Sequence, residues 1–345
     1  MPEKYIAITN KLEIELKQMR ANGIAKLPSE TELAAKYACS RQTIRASLNI
    51  LMNKGLIEKR KGSGSYLTEE STQNRVVFFV AEDCDRYLNP ELIAGLRSEL
   101  RSKFELKTFS TYGNYKEEGE IIRKAIEEKA SALVIDPSRD LIPGINDRLI
   151  MSAVNNRIPV IYINSNASPE GVLTVAPDYE DMAKKALGIL NSQDKKRTAC
   201  VFRMDSSSGM RGYKGFIDEF ADEKLFDDRK CLLLTYKDEK EIMDGDTAVL
   251  SSFAENIIRD TESIICGNGI VAYQLVNVLG KKGISVPEDI SVLCFDNGYF
   301  RNKGNAQIIS AGYDETILCK KLAKTITALS SGTDIGSTVL PFQLF

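Results

Sequence analysis

From residue 76 onward the chain alternates between short unbroken apolar runs and longer stretches of helical period. The runs are VVFFVA (76–81), LKTFST (106–111), ALVID (132–136), PVIYIN (159–164), TACVF (198–202), CLLLTY (231–236), SIICGN (263–268) and ISVLCFD (290–296). Runs of this length that stay apolar without alternation predict strands covered on both faces. Amphipathic helical stretches separate most of them. Eight β-then-α units with crossover-length connections predict α/β architecture with parallel, doubly wound sheets. Roughly 270 residues are too many for one such sheet core, so two lobes are expected.

The first seventy residues follow a different pattern. Tyr5, Ile6, Leu12, Leu16 and Met19 give a first helix that would cover the core. Ser29 followed by Glu32 is a capping box, with Pro28 just before it, and predicts a short helix over about 30–37. Ser40 repeats the N-cap chemistry for a helix over about 41–53, which Gly55 ends. At 100° per residue Ile44, Leu48 and Leu51 fall on one face, and Arg41, Gln42, Arg45 and Asn49 on the other. Two helices joined by a tight turn, the second carrying long donors outward, form a helix-turn-helix. Arg can fork onto a guanine edge, and Gln or Asn can pair with adenine. Beyond Gly55, Ile57 and Tyr66–Leu67 flank KRKGSG, a basic glycine-tipped hairpin suited to a wing. A polar stretch, TEESTQNR (68–75), reads as a linker.

Charge sharpens this division. Residues 1–68 hold 12 Lys and Arg against 6 Asp and Glu, whereas the rest holds 34 against 42. A basic piece on an acidic body points to a polyanion partner for that piece alone. The chain has 345 residues and no histidine, which removes Ser-His-Asp and Cys-His catalysis. Its seven cysteines are scattered without close pairs and read as buried reduced thiols, with no metal site and no cofactor expected. No Gly-x-x-x-x-Gly-Lys-Ser/Thr loop is present, and no lysine stands where a Schiff base would form. The expected protein is not an enzyme. No apolar run reaches membrane-span length. The charged, amphipathic first twenty residues do not resemble a signal peptide, so cytoplasm is the expected compartment.

Ligands of open parallel sheets bind beyond the carboxyl ends of the strands. Asp83, Asp136, Asn164, Asn268 and Asp296 stand at or just past such ends, and Arg211 on a following helix start. Taken singly, an Asp or Asn there caps the next helix more often than it touches ligand. Together they offer paired acceptors and one fork donor, while Tyr87, Tyr162, Phe202 and Tyr299 offer ring faces. The set suits a neutral polyol such as a sugar.

The stretches LPSETELAAKY (27–37), SRQTIRASLNIL (40–51) and KGLIEKRKGSGSYL (54–67) resemble the winged-helix domain of the GntR family of bacterial regulators. The resemblance implies Arg41, Thr43 and Arg45 on DNA, with Lys61 to Ser65 at the wing. With Ser40 and Gln42 of the same helix start, the candidate DNA contacts are Ser40, Arg41, Gln42, Thr43, Arg45, Lys61, Gly62, Ser63 and Gly64. Cys39 and Ile44 stand where Val is common. The remainder resembles the effector domain of the lac-repressor family, itself akin to periplasmic sugar-binding proteins. NRIPVIYIN (156–164), VAPDYEDMAKKALGIL (175–190), SSSGMRGYKGF (206–216) and IICGNGIVAYQLVNVLGKKGISVPEDISVLCFDN (264–297) carry that resemblance. It implies Arg211, Asn268 and Asp296 as ligand contacts. Asn164 stands where the family often has Asp, and Gly269 where it usually has Asp, so one ligand or cap contact is missing. A GntR-type reader on such a sensor is the arrangement of arabinose-type repressors, without the hinge helix that the lac-repressor family places in the minor groove.

The expected domains are therefore 1–70 for DNA and 71–345 for effector binding and dimerisation. One lobe spans about 75–177 with 297–327, the other about 178–296 with 328–345. The expected function is a sugar-responsive regulator, a homodimer on double-stranded, near-palindromic operator DNA, released by a neutral monosaccharide such as arabinose or fucose and not bound to membrane. A nucleobase, a phosphosugar or a protein is the alternative effector, and a sugar-acting enzyme the remote one.

Overall fold

A computed structural model describes residues 2–53, 56–60, 63–67, 75–85, 89–138, 145–165, 168–220, 227–296, 298–300 and 307–345. The chain separates into two compact units, Met1–Asn74 and Arg75–Phe345. The expected division after residue 70, most of the linker and the question of a hinge helix all fall on 68–74, outside the described residues.

The first unit runs α1 (Pro2–Ala21), α2 (Glu30–Lys36), α3 (Arg41–Asn53), β1 (Ile57–Arg60) and β2 (Gly64–Leu67). Ser29 and Glu32 start α2 as a reciprocal box: the Ser29 amide donates to Glu32 Oε2 at 2.7 Å and the Glu32 amide to Ser29 Oγ at 3.2 Å. At the head of α3 the Thr43 amide donates to Ser40 Oγ at 3.1 Å. Ile8, Leu12, Leu16 and Met19 give α1 an apolar stripe at helical spacing. The stripe closes with Leu33, Ile44, Leu48 and Leu51 over Ile57 and Leu67 of the hairpin. Full burial of side chains such as Leu12 and Ile44 contributes about 1.5–3 kcal/mol each. The strands pair antiparallel from Ile57↔Leu67 to Arg60↔Gly64. Gly64 takes φ +114° at the turn, a value that a side chain would strain.

The second unit opens with β3 (Val76–Ala81), α4 (Asn89–Leu100), β4 (Glu105–Ser110), α5 (Tyr115–Glu127), β5 (Ala132–Ile135), α6 (Asp147–Asn155), β6 (Val160–Ile163) and β7 (Leu173–Pro177). It continues through α7 (Tyr179–Ser192), β8 (Thr198–Arg203), α8 (Ser207–Phe220), β9 (Cys231–Leu234), α9 (Tyr236–Met243), α10 (Ala248–Ile257), β10 (Ser263–Cys266), α11 (Gly269–Lys281), β11 (Ser291–Phe295) and β12 (Ile308–Gly312). It ends with α12 (Glu315–Ser330), β13 (Thr338–Leu340) and β14 (Gln343–Leu344).

All eight apolar runs become strands, four in each sheet, and each sheet adds two more to make six. The first has the order β13-β7-β6-β5-β3-β4 and the second β14-β12-β11-β10-β8-β9. Every pairing is parallel except β12 with β14. Helices cover both faces. One core joins α4 and α12 to the first sheet and another lies under α5 and α6. In the second lobe α9, α10 and α11 cover one face, α7 and α8 the other.

The lobe boundaries differ from expectation. The chain passes between lobes after β7, after β12 and after β13, so β12 belongs to the second lobe and not to a 297–327 return to the first, and β13 does not belong to the second. The physical reason is pairing: Val292↔Ile308 ties β12 to β11, whereas Thr338↔Val175 ties β13 to β7. The α12 face carrying Leu318, Leu322 and Ile326 is buried in the first lobe.

Candidate functional site

Both sheets reverse their strand order at one point, between β3 and β5 in the first lobe and between β8 and β10 in the second. A crevice opens at the carboxyl end of such a switch point. The residues there are Glu82 and Asp136 in one lobe, Arg203 and Asn268 in the other. Two adjoining cavities of about 190 and 220 Å³ lie between the lobes, and all four residues line both.

Asn164 holds the first-lobe side together. It has φ +57°, a left-handed conformation that Asn tolerates better than most residues. Its Nδ2 donates to Asp136 Oδ2 at 3.0 Å, and its Oδ1 accepts from the hydroxyls of Tyr179 and Tyr313, each at 3.1 Å. On the opposite side Asn268 Oδ1 caps α11 by accepting from the Val271 amide at 3.0 Å. The capping role weighed from sequence is therefore filled, and the residue still lines the cavities through the rest of its amide. Asp296 is buried, with Oδ1 accepting from the Tyr299 amide at 2.8 Å. A Cβ on Gly269 would stand 1.9 Å from Asp296 Oδ2. The absence of a side chain at 269 thus makes room for the Asp296 carboxylate, which is a physical reason for the family's usual residue to be missing.

Arg203 is the one cation lining the first cavity among the described residues. Nη1 and Nη2 donate to the two Glu82 oxygens at 2.6 and 2.5 Å, and Nε to Asp205 Oδ1 at 2.6 Å. Burial opposes its charge, but the bonds with Glu82 outweigh that and push the guanidinium pKa up. Two further carboxyls are forced toward neutrality. Burial raises Glu239 to about 7 despite the nearby Arg203, with the Glu82 and Asp205 charges adding to the rise. Burial raises Glu315 to about 7 as well, helped by the charges of Glu91, Asp296 and Asp314.

Of the residues singled out from sequence, Asp136, Asn164, Asn268 and Asp296 meet in the first cavity, and Asp83 lines the second. Tyr87 lies outside the described residues. Arg211 does not line either cavity. The first turn of α8 presents Ser208 and Gly209 to the space, and Arg211 sits about 4.5 Å further along the axis than Ser208. Tyr162 and Phe202 belong to apolar cores on sheet faces, and Tyr299 is exposed, so none of the three supplies the expected ring face. Tyr179, Tyr236, Tyr313 and Phe295 line the cavities instead. Sequence reasoning missed Glu82, Arg203, Glu239 and Glu315. Arg203 carried a usable signal, since it directly follows the run 198–202 at a strand's carboxyl end.

In the first unit Ser40, Arg41, Gln42, Arg45 and Asn49 are exposed, with Thr43 half-buried. Arg45 Nη2 pairs with Glu30 Oε2 at 2.8 Å, and Lys59 of β1 reaches Glu30 Oε1 at 3.3 Å. Glu30 therefore ties the outer face of α3 to the hairpin. Ser63 hydrogen-bonds the Tyr66 hydroxyl at 2.6 Å, and the Arg60 guanidinium lies over the Tyr66 ring at 4.5 Å. Ser63 and Gly64 are exposed, whereas Lys61 and Gly62 lie outside the described residues.

All seven cysteines are free thiols, five of them buried. Among the described residues no cluster of metal-binding side chains occurs, and no helix is long and apolar enough to cross a membrane.

Comparison with known proteins agrees with this division of the chain. The family described as bacterial regulatory proteins, gntR family, matches residues 4–67. The family described as periplasmic binding proteins and sugar binding domain of LacI family matches residues 75–305. The arabinose metabolism transcriptional repressor of Geobacillus stearothermophilus is 26% identical over 300 residues, covering 84% of this chain and 81% of that protein. The protein of the same name from Halalkalibacterium halodurans is 22% identical over 320 residues, covering 87% and 82%. Among solved structures, a LacI family transcriptional regulator from Silicibacter pomeroyi superposes with TM-score 0.67 at 18% identity, covering 78% of this chain and 96% of that one. A periplasmic binding protein/LacI transcriptional regulator from Alkaliphilus metalliredigens, complexed with D-xylulofuranose, gives 0.64 at 13% identity, covering 79% and 97%.

Proposed function

The chain belongs to the family of periplasmic binding proteins and LacI-type sugar-binding domains, with a GntR-family reader ahead of it, and from that premise we propose that it is a repressor released from its operator by a neutral monosaccharide. A pentose or deoxyhexose of arabinose or fucose type is the effector. The observation that carries this reading is the lining of the cleft. Carboxylates and amides from both lobes face one small space with aromatic rings, and its one arginine among the described residues is already bonded to Glu82 and Asp205. Such a surface offers many acceptors to hydroxyl groups and little net attraction to a phosphate. The repressors of arabinose metabolism among the relatives and the sugar held by the Alkaliphilus metalliredigens protein support it.

On this reading Ser40, Arg41, Gln42, Thr43 and Arg45 meet the major groove, and Lys61, Gly62, Ser63 and Gly64 the adjoining backbone. Asp136, Asn164, Asn268 and Asp296 bind the sugar hydroxyls. A homodimer sets two readers on the half-sites of a near-palindromic operator. Release needs only a differential affinity: a tenfold preference of the sugar for the DNA-incompetent state is about 1.4 kcal/mol.

Fluorescence anisotropy on duplexes from the gene's own promoter region tests the proposal. Tight, salt-sensitive binding is expected, with release by at least one of L-arabinose, D-xylose, D-ribose or L-fucose and by none of their phosphates. Binding that only a sugar phosphate or a nucleobase relieves would overturn the choice of effector. Failure to bind any duplex at low salt would overturn the whole reading.

A further inference from the structure

The pair that bridges the cleft joins the two lobes. Glu82 follows β3 of the first sheet, and Arg203 ends β8 of the second. Their side chains are only 21% and 10% exposed, so the two parallel bonds lie in a setting shielded from water, where such a fork is strong. Asp205 holds the third guanidinium nitrogen at 2.6 Å and accepts the Tyr236 amide at 3.0 Å. The Tyr236 ring lies 5.0 Å from the guanidinium carbon. Across the cleft from that ring the first lobe presents Gly113, with φ +70°, where a Cβ would come within 2.7 Å of the ring. A glycine there lets the backbone approach the ring closely. Ion pair, ring and glycine notch form one continuous contact from lobe to lobe.

We propose that Glu82 is a positioning residue of the effector site: through Arg203 it clasps the lobes together before any effector binds, and it orients and neutralises the guanidinium. The contact is made by protein groups alone, and Glu82 and Arg203 line both cavities. On this proposal the cost of bringing the lobes together is met by protein groups. A preformed site loses less on binding than one that must close around its ligand. The role of the clasp in effector binding rests on the function proposed above. Its existence does not, and the test is made without effector or DNA.

Hydrogen–deuterium exchange on the ligand-free full chain reads the clasp directly. In Glu82→Gln and Arg203→Gln, amides of 206–209 and 312–315, which line the cleft outside the clasp, should exchange at least tenfold faster. Amides in the middle of β3 and β5 should stay unchanged, which separates opening from unfolding. Glu82→Asp, which keeps the charge but shortens the reach, should open the cleft too. The double variant should match Arg203→Gln, because the loss of Arg203 already removes the bonds to Glu82. Exchange within twofold of wild type in Glu82→Gln, or additive effects in the double variant, would overturn the proposal. An effector other than a sugar would leave these outcomes unaltered.

Discussion

Replacing Glu239 by Gln should stabilise the second unit, by an amount that grows as pH rises from 4.5 and levels off above about 7. Glu239 sits on α9 between the Arg203 clasp and Asn268. Its carboxyl is enclosed although the residue keeps some exposed surface. Burial moves its titration from 4.5 to about 7. The folded state therefore holds the proton across a range in which the unfolded chain has released it. Stability gained from that proton is complete below pH 4.5, declines as pH rises toward 7, and is lost above. At about 1.4 kcal/mol per pH unit, the decline is on the order of 3 kcal/mol. Gln keeps the shape and the acceptor that faces Asn268, but it cannot ionise. Urea unfolding followed by circular dichroism at pH 4.5, 6, 7 and 8 gives the measurement, with the transitions of the two units fitted separately. Wild type and variant should coincide at pH 4.5 and part by up to about 3 kcal/mol at pH 8. Glu315 has its own displaced titration and leaves a similar slope in both proteins. A stability difference that does not change with pH would refute the reasoning, because it would place the effect in packing and not in the proton.

Three further substitutions separate the parts of the molecule. Ser29→Ala removes the reciprocal cap of α2 and should cost the reader about 1 kcal/mol, seen in its thermal transition while that of the second unit holds. Gly269→Ala puts a methyl group where Asp296 Oδ2 and Phe300 stand. It should cost about 1–3 kcal/mol and weaken sugar binding at least tenfold by calorimetry, and undiminished sugar affinity would remove Asp296 from the ligand contacts. Arg45→Ala should weaken operator binding by about 1–3 kcal/mol and leave sugar affinity unchanged, and loss of both would contradict the division into reader and sensor.

The strongest signals in the sequence were those written by local physics. The Ser29–Glu32 box, the outward donors of α3 and the unbroken apolar runs each depend on neighbours a few residues away, and each has its expected structure. β7 (LTVAP) and β12 (IISAG) escaped because small and polar residues thin their apolar pattern, and their pairing with distant strands decides their state. β13 and β14 are shorter still. At the site, Asp136, Asn164, Asn268 and Asp296 were legible because strand ends point to the crevice. Glu239 and Glu315 were not, since their importance comes from burial by another lobe or helix, which has no local trace. Arg211 drew attention through its motif, yet three residues of helical rise carry it past the cavity, and Arg203 at the strand end takes its place.

The three passages of the chain between the lobes bear on how the molecule is made. The sheet that starts at residue 76 has no outer edge strand, and α4 lacks its companion α12, until residues 315–340 have left the ribosome. During synthesis the nascent first lobe carries a bare flank, the kind of surface that invites wrong pairing. Neither lobe can be excised as one continuous segment. A protease cut at any one passage leaves halves that two other strands of chain still tether.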